Sequence, residues 1–425
     1  MKQRLHFVSE LFYPEMASTG YFMTELAVRL SSVAEVSAIC AQPGYSLKGV
    51  KAQMEEDYQG VKIRRVWSFN FNRNRTLFRL LNALTFSIAG FIKMLRVFSK
   101  GDKILVVTTP PLMPFITALA ALLRGASYYL LVYDTYPEAL AAAGLIKRNG
   151  LLFRTADFFN RWLFKHSAKI IVIGRDMEQL FRQKAAGLDV KIKFIPNWCE
   201  LDKIHPQSKD ENPILKRLGI SDKFIFAFGR NFGRLHDVET ILKAVEHYKN
   251  DERFHFLFIG DGAKKGLISN AIQSLGLRNT SLLEPLPHSE KNAALNCFDV
   301  GIIALMEGMA GVSVPCRAYN LMAAGKPILG ILEKESEIAR MITENEIGWQ
   351  TMPCDAKSLI DLIELIYSRR NEIPAMSSRA RKLAETEFTL EKAVEKYIKA
   401  LELRTTSSHL NHRPEEKCLS ARLPS

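Results

Sequence analysis

The chain has 425 residues, 47% of them hydrophobic and 24% charged, which is enough to bury two ordinary cores and excludes a disordered or fibrous chain. Its formal net charge of +13 favours anionic partners, such as a phosphorylated substrate or a phospholipid surface. Six scattered cysteines without a C-x-x-C pair exclude a disulfide framework and a structural zinc site, and point to a reducing cytosol.

The N-terminus runs directly into apolar His6-Phe7-Val8, so no signal peptide is expected. Short apolar runs follow near Val36–Cys40, Lys103–Thr108, Tyr128–Val132 and Lys169–Ile173, separated by helix-length segments such as Gly20–Ser31 and Leu112–Leu123. A second series comprises Lys223–Phe228, His255–Ile259, Thr280–Leu283, Val300–Ala304 and Pro327–Gly330. Continuous apolar strands alternating with helices predict parallel sheets covered on both faces. The polar stretch Cys199–Asn212 reads as the linker, so the fold class is α/β, with two Rossmann-like doubly wound domains. Ligands of such sheets bind beyond the strand C-terminal edges, here in a cleft between the domains. The polar segment after Arg404 reads as a disordered tail.

Between positions 64 and 103 lie nine Lys or Arg and one acid, Asp102, interleaved with Trp67, Phe69, Phe71, Phe78, Phe86, Phe91 and Phe98. The stretch Leu77–Phe98 is broken by Arg79, Lys93 and Arg96, and a spanning helix needs roughly twenty apolar residues. Two readings stay open: an interfacial helix on anionic lipid, or a core helix with a basic outer face.

Two glycine-bearing stretches carry the chemistry. In Glu307–Gly330 a loop with Gly308 and Gly311 follows a strand, Pro315 opens a helix, and Arg317 stands in its first turn. Such a loop is expected to point unpaired backbone N–H groups, reinforced by the helix dipole, at a diphosphate in the cleft. The second stretch, Phe228-Gly229-Arg230-Asn231-Phe232-Gly233-Arg234-Leu235-His236-Asp237, follows the first strand of the second domain. Its arginines offer guanidinium forks to phosphate oxygens, and His236 is placed either to bond phosphate or to cap a turn. Neither G-x-G-x-x-G nor G-x-x-x-x-G-K-[ST] occurs, and no nucleic-acid reader motif is found, so no nucleic-acid partner is expected.

These stretches resemble the donor site of GT-B glycosyltransferases of retaining family four, in the bacterial branch serving O-antigen, capsule and exopolysaccharide synthesis. The resemblance covers nearly the whole chain, to about residue 403. Phe12-Tyr13-Pro14-Glu15 through Thr19-Gly20 matches that branch's first glycine-bearing loop, and Thr109–Leu112 its T-x-P-P-L segment. Asp134-Thr135-Tyr136-Pro137-Glu138 matches D-x-[WY]-P-[ED], Ile195–Trp198 the interdomain I-P-N-[WG], and Gly260-Asp261-Gly262 the G-D-G. Where the family commonly has two glutamates eight positions apart, this chain has Val312 and Asn320, and its P-S-K reads Pro315-Cys316-Arg317.

The resemblance implies an acceptor domain over 1–200, a nucleotide-sugar domain over 201–385, a C-terminal helix over 386–403 and a tail over 404–425. It implies a nucleotide-diphosphate sugar as substrate, a glycan or polyprenyl-linked acceptor, an anionic membrane surface as partner, and a cytoplasmic chain attached peripherally to the inner face of the plasma membrane. Catalytic roles fall to Asp134, Arg234 and Arg317. Donor contacts fall to Gly229, Arg230, Asn231, Gly233, Glu307, Gly311, Val312, Ser313 and Asn320, and the acceptor side to Gly20 and Tyr21. Glu307 and Glu337 are the nearest remaining acids for donor hydroxyls. No D-x-D is present, so no metal and no cofactor are expected, and cations must stabilise the leaving group. Two alternatives follow from the missing glutamates and the architecture: a catalytically silent sugar-nucleotide-binding or assembly protein, and a sugar-nucleotide epimerase.

Overall fold

The structure is a computed structural model that describes residues 2–16, 19–44, 47, 49–69, 71 and 76–404, with the backbone alone at 76, 79, 80, 230 and 288. The tail expected after Arg404 lies outside the described residues.

The first sheet contains β1 (Arg4–Val8), β2 (Glu35–Ala41), β3 (Glu55–Tyr58), β4 (Val61–Val66), β5 (Lys103–Val107), β6 (Ser127–Val132), β7 (Lys169–Val172) and β8 (Lys191–Phe194). Its order is β3-β4-β2-β1-β5-β6-β7-β8, and the β3–β4 pair alone is antiparallel. The second sheet contains β9 (Phe224–Asn231), β10 (Phe254–Asp261), β11 (Thr280–Leu283), β12 (Val300–Ala304), β13 (Ile328–Ile331) and β14 (Gly348–Thr351). It is parallel throughout, in the order β11-β10-β9-β12-β13-β14. The apolar runs are inner strands because both their faces are covered: Leu5, Phe7 and Val8, like Ile302 and Ile303, are buried.

Four strands escape the sequence pattern: β4, whose VKIRRV is broken by Lys62, Arg64 and Arg65, and three at sheet ends. Sheets end in short polar strands, because an apolar edge would pair with another chain. β3 (EEDY), β8 (KIKF) and β14 (GWQT) are such ends. The β3–β4 hairpin turns on Gln59 and Gly60, both at positive φ.

In each sheet the chain leaves the first strand toward one edge and later returns to its other side. The resulting switch points lie between β1 and β5 and between β9 and β12, where such folds bind ligands. The loops after β1 and β5 hold Phe12–Met16 and Thr109–Leu112, and those after β9 and β12 hold Phe232–Asp237 and Leu305–Cys316. The motifs therefore stand where the topology opens a crevice.

The helix Ile373–Glu387 packs on the helix Arg317–Ala323, and Arg381 Nη1 donates to the carbonyls of Ile204 and Ala323 at 2.9 and 2.5 Å. The last helix, Leu390–Ala400, returns to the first domain and packs on Thr19–Leu30. Its end is held by Lys169 Nζ on Ala400 O at 2.7 Å and Lys103 Nζ on Leu401 O at 2.5 Å.

Candidate functional site

The second-sheet edge is cationic. The loop after β9 is held from below: Phe232 N donates to Asp261 O and Lys264 N to Phe232 O, both at 2.9 Å. A Cβ on Gly262 would come within 2.7 Å of the Phe232 backbone, so only glycine lets the G-D-G turn back this loop. Gly233 N donates to His236 Nδ1 at 2.9 Å, so His236 caps the turn, and its ring proton sits on Nε2. Asp237 caps the next helix, accepting from Thr240 N at 3.1 Å.

Arg317 does not extend into solvent. Its guanidinium stacks 4.8 Å from the Phe228 ring centroid, Nη1 donates to Ile302 O at 2.9 Å, and Nη2 would lie 3.9 Å from a Cβ on Gly229. Lys264 Nζ donates to His236 O at 2.7 Å and pairs with Glu239 at 2.6 Å. Burial first, then the positive charges of Arg317 and Lys264, push the His236 imidazole down to about 4. Arg317, the Lys264–Glu239 ion pair and a neutral imidazole thus meet at one strand edge. Asn231 at the end of β9 and Arg234 in the loop after it stand exposed, while the Arg230 side chain lies outside the described residues.

The glycine loop differs from expectation. Its amides at 310–312 are not turned toward the cleft: Ala310 N donates to Glu333 Oε2 at 2.7 Å, Gly311 N to Asp176 Oδ2 at 2.9 Å, and Val312 N to Met309 O at 3.0 Å. Carboxylates from elsewhere in the fold meet the demand that burial places on these donors. The helix beyond runs only over Arg317–Ala323. Val312 is buried, and its carbonyl accepts from Thr135 N at 2.9 Å; Asn320 is buried within that helix. Glu307 is exposed. Glu337, named as an acid for donor hydroxyls, is instead buried beneath Arg175, which binds it through Nε at 2.9 Å and its backbone N at 2.7 Å. That pair fixes one domain to the other, so Glu337 is engaged in structure.

Across the cleft, Asp134 follows β6 and forms an isolated antiparallel bridge with Ser313, and Thr135 Oγ1 donates to Gly311 O at 3.1 Å. Asp134 N and Tyr133 N both donate to Thr108 Oγ1 at 3.2 Å, which sets the chain's direction here. Desolvation raises the Asp134 carboxyl above its usual range, against hydrogen bonds from Ser313 and Thr109. Asp134 therefore meets the donor-side loop directly and does not cap the following helix, whose N-cap is Pro137. Gly20 is buried under the entry loop, where a Cβ would meet Glu15 O at 2.1 Å. Tyr21 is also buried, beside Lys203 and Lys291 near the linker.

Asp176, Thr135 and Lys264 were not singled out by the sequence. The available signals were local ones: Asp176 follows β7 by four residues, much as Asp134 follows β6, and Lys264 follows the G-D-G turn.

Residues 19–198 match the family described as "Glycosyl transferase 4-like domain", and residues 210–383 match "Glycosyl transferases group 1". The chain belongs to these glycosyltransferases, and its two sheets have the GT-B arrangement. It is 35% identical over 295 residues to a Pseudomonas aeruginosa protein named as the glycosyltransferase WbjE, covering 69% of this chain and 73% of that one. An Escherichia coli protein named as the colanic acid biosynthesis glycosyl transferase WcaI is 24% identical, covering 91% and 97%. Among solved structures, sucrose-phosphate synthase from Thermosynechococcus elongatus aligns with a TM-score of 0.74 at 13% identity, covering 94% and 98%. HepE from Anabaena, in complex with UDP and glucose, aligns at 0.71 and 12%, covering 94% and 99%. WaaG, a glycosyltransferase involved in lipopolysaccharide biosynthesis, aligns at 0.67 and 14%, covering 93% and 99%. These structural likenesses bear on the fold. The activity is that of a glycosyltransferase.

Proposed function

We propose that this glycosyltransferase moves a sugar from a nucleoside-diphosphate donor to a lipid-linked glycan during bacterial cell-surface polysaccharide synthesis, with retention of anomeric configuration and without a metal ion. The observation that carries the donor half is the convergence of Arg317, Lys264 and neutral His236 at the end of β9. As the anomeric carbon–oxygen bond breaks, charge gathers on the departing diphosphate, and fixed cations in a partly desolvated site stabilise it. Exposed Asn231 at the end of β9 and exposed Arg234 in the loop after it are the groups for the outer phosphate oxygens, while Gly229 stays within β9 and the Gly233 amide is held by His236. The other predicted donor residues keep secondary parts: Ser313 lies at the Asp134 bridge, and the Gly311 and Val312 carbonyls hold the loop to Thr135.

On the other side, Asp134 orients the acceptor hydroxyl and takes its proton. A carboxyl raised by desolvation suits that role, since its basicity moves toward working pH. Metal independence is supported by this cationic set, which sets positive charge at the leaving-group side without a metal ion. Relatives named for colanic acid and lipopolysaccharide synthesis support the pathway class. Exposed Trp67, Phe69, Phe71 and Leu77 at the rim support an acceptor presented at a membrane and a chain lying on the inner face of the plasma membrane. Among the described residues no helix is long and apolar enough to cross a bilayer.

The test is a panel of UDP-, GDP-, ADP- and CMP-sugars scored by thermal shift in EDTA. The stabilising donor is then incubated with a polyprenyl-diphosphate-linked sugar, and the product's anomeric configuration is read by NMR. Transfer with retention in EDTA is expected. Donor binding without transfer to any lipid-linked sugar would remove the acceptor assignment, and inversion or a strict metal requirement would remove the mechanism.

A further inference from the structure

The segment read as membrane-facing divides in two. Arg65 is buried and donates to Tyr13 O and Gln53 O at 2.6 Å, and Phe86, Met94 and Phe98 are core residues. What remains outside is a stripe on the helix Thr76–Val97: Leu77, Leu84, Ile88 and Ile92, at intervals of seven, four and four. Two further helices repeat the pattern. Met113–Arg124 exposes Leu119, Leu122 and Leu123, with Leu112 just before it, and Leu151–His166 exposes Leu151, Leu152, Phe158, Phe159 and Trp162. The connections β4–β5, β5–β6 and β6–β7 all step the same way along the sheet, so right-handed crossovers put their helices on one face. There the first packs on the second and the second on the third.

Three adjacent helices therefore turn large apolar side chains outward together, with Leu151 82% and Phe158 70% exposed. Monomeric proteins seldom expose such a surface without a partner. Charge selects the partner. Residues 76–166 contain eleven Lys or Arg and four Asp or Glu, and of the acids Asp102 is buried and Asp157 is paired with Lys184. Exposed Arg96, Lys100, Arg124, Arg154 and Lys165 border the stripes. A second copy of this chain would set positive against positive, whereas an anionic bilayer is complementary both to the cations and to the apolar stripes.

We propose that this three-helix face, and not the 64–103 segment alone, is the surface that docks on an anionic lipid bilayer. It names the surface for the membrane part of the proposed function and rests on that part. The helices begin on the side of the strand C-terminal edges, so Leu77, Leu112 and Leu151 carry the lipid contact to the cleft rim.

The test uses the full chain with vesicles of phosphatidylglycerol and phosphatidylcholine, scored by flotation. Two triple variants on separate helices are compared with wild type: Leu151→Ser/Phe158→Ser/Phe159→Ser and Leu84→Ser/Ile88→Ser/Ile92→Ser. Wild type is expected to float with mixed vesicles and not with phosphatidylcholine alone, and each variant to partition about a hundredfold more weakly. Leu267→Ser/Leu365→Ser, exposed on the second domain, should float like wild type. The inference falls if wild type does not float at low salt or if the Leu151 variant floats like wild type. It falls equally if light scattering shows a wild-type dimer that either variant converts to monomer. Nucleoside-diphosphate binding by thermal shift is expected to be unchanged in both triple variants. Its failure in wild type, with flotation intact, would remove the donor reading and leave this one standing.

Discussion

The two sheet edges that face each other across the cleft differ in sign. At the first, the charged groups in contact with the loop between β12 and the helix Arg317–Ala323 are the carboxylates Asp134 and Asp176, while Arg175 reaches past that loop to Glu337. At the second they are Arg317, Lys264 and a histidine held neutral. In the proposed function, the same topology offers a proton acceptor on one side and leaving-group stabilisation on the other. Sugar transfer needs both, in separate places, because the two groups would cancel if they were in contact. The comparison also teaches that one acid is not chemical. Asp176 is buried and holds two amides of the other domain, Gly311 N at 2.9 Å and Glu337 N at 3.0 Å, besides Met177 N at 2.7 Å.

The largest effect is expected from removing the charge on the acid side. Asp134→Asn should lower kcat by about 10²–10⁴ with donor binding retained. Because desolvation raises this carboxyl, the acid limb of the wild-type pH–kcat profile should lie above the ordinary carboxylate range, and it should vanish in the variant. A variant that loses stability but keeps kcat would make Asp134 an interdomain contact only.

On the cationic side, Arg317→Ala should raise the barrier by about 2.7–4 kcal/mol, by analogy with the loss of an oxyanion-hole donor. Arg317→Lys should fall between, since it keeps a charge but loses the fork that meets Ile302 O and the stack on Phe228. Arg234→Ala, on an exposed loop, should show chiefly as a raised donor KM. Asp176→Ala would leave the amides of Met177, Gly311 and Glu337 without their acceptor, at roughly 1–3 kcal/mol for each that stays buried. Urea midpoints should drop and donor KM rise, while the pH profile stays that of wild type.

The smallest effect concerns pH and stability. His236 and His255 are both pushed down to about 4 by burial, so between 4 and 6.5 the unfolded chain binds more protons than the folded one. Their contribution is complete above pH 6.5 and is lost as pH falls toward 4. A melting temperature that falls over this window, and falls less in His236→Asn, is the expected result.

Much of this was legible in the sequence, because inner parallel strands must be apolar on both faces and so appear as unbroken runs. Val300–Ala304 and Lys169–Val172 announce themselves, whereas KIKF and GWQT do not, since an edge strand is half solvated. Arg317 and the glycine loops could be found because their neighbours in space are also neighbours in sequence. The partners of the glycine loop could not. Gly311 meets an aspartate 135 residues earlier in the chain, and no local pattern records which carboxylate will satisfy a given amide. The basic, aromatic stretch shows the same limit, because a count of charges does not separate the buried Arg65 from an exposed Arg96.

Calorimetric titration of the full chain in EDTA with the nucleoside diphosphate of its donor, for wild type and Arg317→Ala side by side, tests the cationic edge most directly. Wild type should bind without added metal, and the variant should bind at least about tenfold more weakly, the loss expected when a charge-assisted contact is removed. Equal affinity in the two proteins would mean that the diphosphate is held elsewhere.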